Sequence, residues 1–198
     1  MAVGDTSEVV LALVTMFGAV AVGLAGRGSL GRLGSLTLRL RGSVWAAVGA
    51  QLVGSVVGGP AYALGLVVSA ALVGRFLLAN RGVRGTGLLA LGLLANALVV
   101  GLNGAMPVSL HAAGRAGTTT QDIISGADPR HELATARTRL RWLGDVIPAP
   151  WPVRPEVVSP GDVLVAAGLA QLVVVGMRSG PARGRHAPGR RRAAVVQP

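Results

Sequence analysis

The sequence predicts an all-α integral membrane protein with about five transmembrane helices and an amphipathic helix in a long extracytoplasmic loop. Three observations indicate this fold class. Hydrophobic residues make up 51% of the 198 residues and charged residues 14%, against about 25% in soluble domains. Apolar runs of bilayer length recur along the chain. In a five-span topology all acidic residues fall on one side of the membrane and most arginines on the other, as in multi-pass membrane proteins.

Five apolar runs are candidates for transmembrane helices, because about 17 to 25 helical residues cross the hydrocarbon of a bilayer. They extend over Val9–Gly26, Val44–Val57, Ala61–Ala79, Thr86–Leu102 and Pro160–Met177. The second run is the shortest and contains Gln51, and only Gly58, Gly59 and Pro60 separate it from the third. Glycine and proline favour a turn, which predicts a tight helical hairpin. A single re-entrant segment over residues 44–79 is the alternative.

The distribution of charge predicts the orientation. If the N-terminus is outside, thirteen of the 19 arginines and no acidic residue fall on the cytoplasmic side. All eight acidic residues then fall outside, with the other six arginines. This segregation follows the positive-inside rule, and a count of five spans places all three basic segments on one side. The sequence therefore predicts a multi-pass protein of the cell (plasma) membrane, with its N-terminus outside and its C-terminus cytoplasmic.

Four segments follow from this topology. Residues 1–102 form a membrane domain with four spans, 103–159 an extracytoplasmic segment, 160–177 the last transmembrane helix, and 178–198 a basic, disordered cytoplasmic tail. The residues before the first run carry two acids and no arginine, so this run is expected to remain as an anchor and not to be cleaved. The loop at 27–42 spaces leucines among arginines. A charge cluster that sets the topology is a sufficient explanation, and contact with anionic lipids of the inner leaflet is a further expectation.

The extracytoplasmic segment is predicted to contain an amphipathic helix over about 129–143. The Asp-Pro pair at 128–129 provides an N-cap and a first helical residue, and Gly144 provides a stop. An apolar stripe recurs at helical spacing and consists of Leu133, Ala136, Leu140 and Leu143. With Trp142 near its end, this helix is expected to rest on the outer membrane interface.

Two Gly-Asp-Val elements flank a proline-rich stretch. In the second, Ser159 is a predicted N-cap, Pro160 the first helical residue and Asp162 the acidic partner of a variant capping box. Asp145 in the first element has no such explanation. A local turn hydrogen bond and a role in a functional site are both open for it.

Gln51 and Asn96 are the uncharged polar residues deepest in the apolar runs. They are expected to form hydrogen bonds between helices, and lining a substrate path is the alternative.

Three stretches carry a resemblance to a known family. They are NGAMPVS at 103–109, LRWLGDVIPAPWP at 140–152 and VVSPGDVLVAAG at 157–168. Behind four apolar runs they resemble the bacterial membrane proteins of domain of unknown function 5317, over nearly the whole chain up to Met177. The chain departs from the family in lacking a second glycine and an extra residue within Asn-Gly-Ala-Met-Pro, and in having Pro160 where an aliphatic residue is typical.

That family has no established activity, so the resemblance implies a membrane location and a set of motif positions. These are Asn103, Gly104, Met106, Pro107, Gly144, Asp145, Pro148, Ser159, Gly161 and Asp162.

No spacing of polar residues predicts catalysis, a cofactor or a metal site. His131-Glu132 lacks the second histidine of a His-Glu-x-x-His motif, and there is neither a Gly-x-Ser-x-Gly element nor a phosphate loop. Zero cysteines exclude thiolate ligands. His111, His131 and His186 are interpreted as ordinary surface histidines.

The sequence favours a non-enzymatic envelope or partner-binding protein. Its partners would be the lipid bilayer and another membrane protein or further copies of the chain. A small transporter or transporter subunit, using Gln51, Arg75 and Asn96, is the first alternative. A membrane enzyme with Asp145 and Asp162 as its catalytic carboxylates is the second. Nucleic acid is not an expected partner, because topology accounts for the net charge of +11.

Overall fold

The structure, a computed structural model, describes residues 7–57, 60–125, 128, 130–152 and 155–179. These residues form eight α-helices: α1 (Ser7–Ala25), α2 (Leu30–Gly34), α3 (Arg41–Val57), α4 (Pro60–Ala79), α5 (Thr86–Asn103), α6 (Leu110–Ala116), α7 (Gln121–Ile124) and α8 (Pro160–Arg178). The short strands are β1 (Met106–Val108), β2 (His131–Leu133), β3 (Ile147–Ala149) and β4 (Glu156–Val158), and a 3-10 turn covers Arg141–Leu143. The predicted tail beyond Ser179 lies outside the described residues.

All five apolar runs are helices, with ends within about three residues of the predicted ones. Among the described residues, two helices are long and apolar enough to cross a membrane, judged by length and composition: Thr86–Asn103 and Pro160–Arg178. Leu13–Ala25 in α1 and Val67–Ala79 in α4 are shorter apolar stretches. The predominantly helical fold is thus confirmed.

Helix α8 is the centre of the fold, since α1, α2 and α5 all pack against it. Near its C-terminal end, Val173 and Met177 form a buried core with Ala19 of α1. The backbone N–H of Ser29, just before α2, donates to the carbonyl oxygen of Met177 at 3.0 Å. The end of α1 and the whole of α2 are therefore held at the C-terminal end of α8.

Helices α3 and α4 form an antiparallel hairpin. Gly54 and Gly65 are both buried at its interface, and a Cβ on Gly65 would lie 2.7 Å from the carbonyl oxygen of Ala50. Close backbone approach therefore requires glycine there. Ser69 donates to Gln51 across the hairpin at 3.5 Å, which confirms the interhelical hydrogen bond predicted for Gln51. The described residues of this part of the chain thus form two packed helices, α3 and α4.

The predicted amphipathic helix over 129–143 is wrong. Among residues 130–143 the structure has strand β2, a series of turns and the 3-10 turn. Thr135 and Thr138 explain part of this, because the Thr138 hydroxyl accepts from the Thr135 N–H at 2.8 Å and the Thr135 hydroxyl from the Arg137 N–H at 3.2 Å. Such side-chain bonds compete with a helix. Leu140, at φ 48°, has a left-handed backbone that ends any helical path.

Candidate functional site

The Ser159–Asp162 element begins α8 as predicted and also joins α8 to α5. The Asp162 N–H donates to the Ser159 hydroxyl at 3.0 Å, and the Ser159 N–H donates to Asp162 Oδ2 at 2.9 Å, which completes the capping box. Asn96 of α5 donates to Asp162 Oδ1 at 2.7 Å and accepts from the Ser159 hydroxyl at 3.0 Å. The side chains of Asn96, Ser159 and Asp162 and the Ser159 N–H thus form a closed ring of hydrogen bonds, and Ser159 is fully buried. The interhelical role predicted for Asn96 is confirmed.

Two glycines allow this ring to form. A Cβ on Gly161 would lie 1.8 Å from Asn96 Oδ1, and a Cβ on Gly92 would lie 2.5 Å from the Gly161 carbonyl oxygen. Any side chain at either position would separate α5 from α8. The Gly161 motif position is therefore explained by close helix packing beside a buried polar ring.

The first Gly-Asp element lies against β1. Strand β1 pairs in parallel with β2 on one edge, with Met106 opposite His131, and Val108 forms a parallel bridge with Asp145 on the other. The Asp145 N–H donates to the Pro107 carbonyl oxygen at 2.8 Å, and the Asp145 carbonyl oxygen accepts from the Ser109 N–H at 2.9 Å. Asp145 therefore extends the two-stranded sheet by one residue.

Gly144 permits this contact, because a Cβ there would lie 2.4 Å from the Pro107 carbonyl oxygen. Proline at 107 is tolerated because this edge uses its carbonyl oxygen and does not require an N–H.

The carboxylate of Asp145 is buried and faces a histidine. His131 Nε2 lies 3.7 Å from Asp145 Oδ2, and His131 Nδ1 lies 2.7 Å from Asp128 Oδ2. Partial burial raises the pKa of Asp128, but the hydrogen bonds from His131 and from the Arg130 N–H outweigh it and lower that pKa below its usual value. Asp128 lies three residues before His131, but Asp145 lies fourteen residues after it and matches no motif, so the His131 contact with two carboxylates was missed by motif analysis.

The Asn103 side chain holds the turn that replaces the expected helix. Its amide accepts from the Arg139 N–H at 2.8 Å and donates to the Arg139 carbonyl oxygen at 2.9 Å. It also donates to the Val99 carbonyl oxygen at 2.8 Å, which caps the end of α5. Gly104 follows with φ 90°, a left-handed conformation that favours glycine and closes the helix. Both residues of this motif thus have a structural role.

Asn80 repeats this arrangement at the C-terminal end of α4 and was not singled out from the sequence. Its amide accepts from the Arg39 N–H and donates to the Arg39 carbonyl oxygen, both at 2.9 Å, and also donates to the Phe76 carbonyl oxygen at 2.8 Å. In each case the clamped arginine precedes a leucine with positive φ, Leu40 or Leu140. The shared Arg-Leu-Arg sequence at 39–41 and 139–141 is the signal that could have identified the pair.

Other predicted residues remain apart from this network. Asn96 lies between α5 and α8, whereas Gln51 lies in the α3–α4 hairpin and Arg75 is exposed on α4, so these residues do not line one path. His111 is exposed on α6, and Pro148 pairs with Val157 in the antiparallel β3–β4 ladder. His186 lies outside the described residues.

The two candidate carboxylates belong to different networks, because Asp162 bonds Ser159 and Asn96 while Asp145 faces His131. No group of three His, Cys, Asp or Glu side chains in the described part of the chain is arranged to hold a metal ion. A polar groove of about 390 Å³ lies beside Asn103 and is lined also by Glu132, Arg137 and Arg139.

Comparison with known proteins gives one match. The family described as "Family of unknown function (DUF5317)" matches residues 43–174. No curated protein and no solved structure matches the chain. The match contains α3, α4, α5 and most of α8 with all the motif positions, but it leaves out α1 and α2, which the resemblance had been expected to include. The chain belongs to this family of unknown function, DUF5317.

Proposed function

We propose that the protein is an integral membrane protein that crosses the bilayer five times and acts without catalysis, as a partner-binding protein of the cell envelope. Helices α1, α3, α4, α5 and α8 are the five spans. They contain 17 to 20 residues each, which corresponds to about 26 to 30 Å of helix. The N-terminus would lie outside and the C-terminus inside.

The observation that carries this proposal is the separation of charge between the two ends of the bundle. The end of α8 contacts α2, and Asn80 binds the Arg39 backbone, so the described parts of the three basic segments meet at one end. The described arginines of this end are Arg27, Arg32, Arg39, Arg41, Arg75, Arg81, Arg84 and Arg178. The described acidic residues after α1 all lie between Gln121 and Asp162, in the sheet-containing segment and the first turn of α8.

The uncovered apolar surface of the helices also supports the proposal. Only 17% of α5 and 28% of the apolar window of α8 are buried by protein. On the hairpin, Trp45 is 76% exposed and Val56 is 87% exposed. Exposure of so large an apolar surface to water would be unfavourable, whereas lipid chains or another membrane protein would cover it.

A non-catalytic role is supported by what the two candidate aspartates do. Asp162 uses both carboxylate oxygens in the ring that joins α5 to α8, and Asp145 uses its backbone to extend the β1–β2 sheet. The β-containing segment over 104–158 would form the outer face, and the α3–α4 hairpin would offer its uncovered side to a partner.

A membrane enzyme is a second candidate, supported by one observation. His131 lies between the carboxylates of Asp128 and Asp145, an arrangement that can hold and transfer protons. Replacement of His131 by Gln would abolish an activity of this kind and leave topology unchanged.

Cysteine labelling in intact cells tests the topology, because the chain has no native cysteine. A single cysteine at Thr119 is expected to react with a membrane-impermeant thiol reagent, whereas cysteines at Ser35 or Val83 should react only after lysis. Equal reaction of Thr119 and Val83 before lysis would show that the two ends of the bundle are not on opposite sides of a membrane.

A further inference from the structure

We propose that a groove at the arginine-rich end binds one anionic phospholipid, with its phosphate at Arg84 and an acyl chain along Leu36, Val83 and Leu172. The groove has a volume of about 340 Å³ and opens between α2, the α4–α5 turn and the last two turns of α8. The inference rests on the membrane location proposed above and assigns a specific ligand class to that end of the bundle.

The backbone shapes this groove. Gly176 forms its floor, where a Cβ would lie 2.3 Å from Leu36 Cδ1, so the loop after α2 lies directly on α8. On the other side, Gly85 follows the lining residue Arg84, has φ 100°, and a Cβ there would lie 2.3 Å from the Gly168 carbonyl oxygen. The α4–α5 turn is thereby pressed against α8. Both sides of the groove are thus fixed on α8 by close packing, and the groove lies between them.

The charge around the groove complements an anion. Arg84 is exposed at its rim and makes no ion pair among the described residues. The surrounding end of the bundle contains seven further arginines and none of the described acidic residues. The C-terminal carbonyl groups of α8 would repel an anion, so the phosphate is expected at Arg84 and not at the helix end. The planar guanidinium fork of arginine matches a phosphate group.

The apolar walls distinguish a lipid from a free phosphate. A soluble phosphate would pair with Arg84 but leave the groove-facing sides of Leu36, Val83, Leu172 and Val175 uncovered. A phospholipid satisfies both, because its acyl chain covers the apolar walls while its head group remains at the charged rim. Basic pockets of this kind at the membrane surface bind anionic head groups.

Native mass spectrometry of the full chain in detergent micelles tests the site. Phosphatidylglycerol is titrated against phosphatidylcholine with the same acyl chains, and glycerol phosphate serves as the head group without chains. We expect one bound phosphatidylglycerol, weaker phosphatidylcholine binding and no displacement by glycerol phosphate. Arg84→Gln should weaken phosphatidylglycerol about fivefold. Arg81→Gln, in the same turn but outside the groove, should have little effect.

A groove-filling variant separates the acyl-chain contact from the charge. Val83→Trp keeps Arg84 but occupies the apolar space, and it should also lose the bound lipid while the thermal unfolding midpoint stays close to that of the wild type. The site would be overturned if Arg84→Gln and Arg81→Gln had equal effects or if the two lipids bound equally. Displacement of the lipid by glycerol phosphate, or full lipid binding by Val83→Trp, would also overturn it. These results can occur with the cysteine labelling pattern intact, so they are distinguishable from failure of the topology.

Discussion

Asp162 illustrates how one carboxylate can serve two helices. Its oxygen Oδ2 accepts from the Ser159 N–H, and its oxygen Oδ1 accepts from the Asn96 amide. The sequence pattern predicts only the first of these bonds, because capping is local. The second joins residues 66 positions apart. Asp162 is therefore both a helix cap and an interhelical contact, and each of its carboxylate oxygens accepts a hydrogen bond.

The double acceptor role predicts that Asp162→Asn is more harmful than loss of charge alone would suggest. An asparagine would turn its NH₂ group toward one of two N–H donors, which leaves a part-buried donor unpaired at a cost of about 1 to 3 kcal/mol. In an Asn96→Ala background one of those donors is already gone, so the same change should cost less. The measurement is a double-mutant cycle on thermal unfolding in detergent. Equal costs in both backgrounds would contradict the Asn96 contact.

Asp128 predicts a pH dependence of stability. Its pKa is lower in the folded chain than the usual value of 3.8, despite partial burial, because His131 and the Arg130 N–H bond the carboxylate. A depressed folded-state pKa contributes stability above the usual pKa, and this contribution is lost as pH falls through the lowered value. Between about pH 6 and pH 2, Asp128→Asn should therefore lose less stability than the wild type. An equal loss of stability with falling pH in the two proteins would contradict the lowered pKa of Asp128.

At the scale of elements, the segment after α5 shows why the predicted amphipathic helix is absent. Its apolar residues recur at helical spacing, but β2 pairs in parallel with β1. Met106 of β1 lies opposite His131 of β2, 25 residues later in the chain. The Asn103 amide then binds both backbone groups of Arg139. These tertiary hydrogen bonds replace those that a helix would make, so the segment is not helical although its apolar residues have helical spacing.

The fit of Gly144 against β1 predicts an effect on this element alone. Gly144→Ala places a Cβ against the Pro107 carbonyl oxygen, and overpacking of this kind costs about 1 to 3 kcal/mol. Hydrogen exchange at the Asp145 and Ser109 amides should become faster. Gly114→Ala on α6 is the matched control, because a Cβ there would have no atom within 4 Å apart from its chain neighbours and the backbone of its own helix. It should be neutral or slightly stabilising. Unchanged exchange in Gly144→Ala would contradict the tight contact.

At the scale of the whole molecule, α8 organises two ends with different character. Its first turn joins α5 through the polar ring, and its last turn lies against α1 and α2 in an apolar core. The arginine-rich segments meet at the second end, and the short strands lie beyond the first. The α3–α4 hairpin packs mainly on itself, which leaves its apolar outer surface exposed.

The sequence by itself determined the five long helices, the start of α8 at Pro160 after its N-cap Ser159, and the family. These depend on apolar run length, capping chemistry and short motifs that are local in the chain. Only the tertiary structure decided the β1–β2 pairing, the ring of Asn96 with Asp162, and the two asparagine clamps on Arg39 and Arg139. A three-residue strand is too short to show an alternation of apolar and polar residues. A hydrogen bond between residues far apart in the sequence forms only when the fold brings their segments together. Those features follow from packing around α8, which no local pattern encodes.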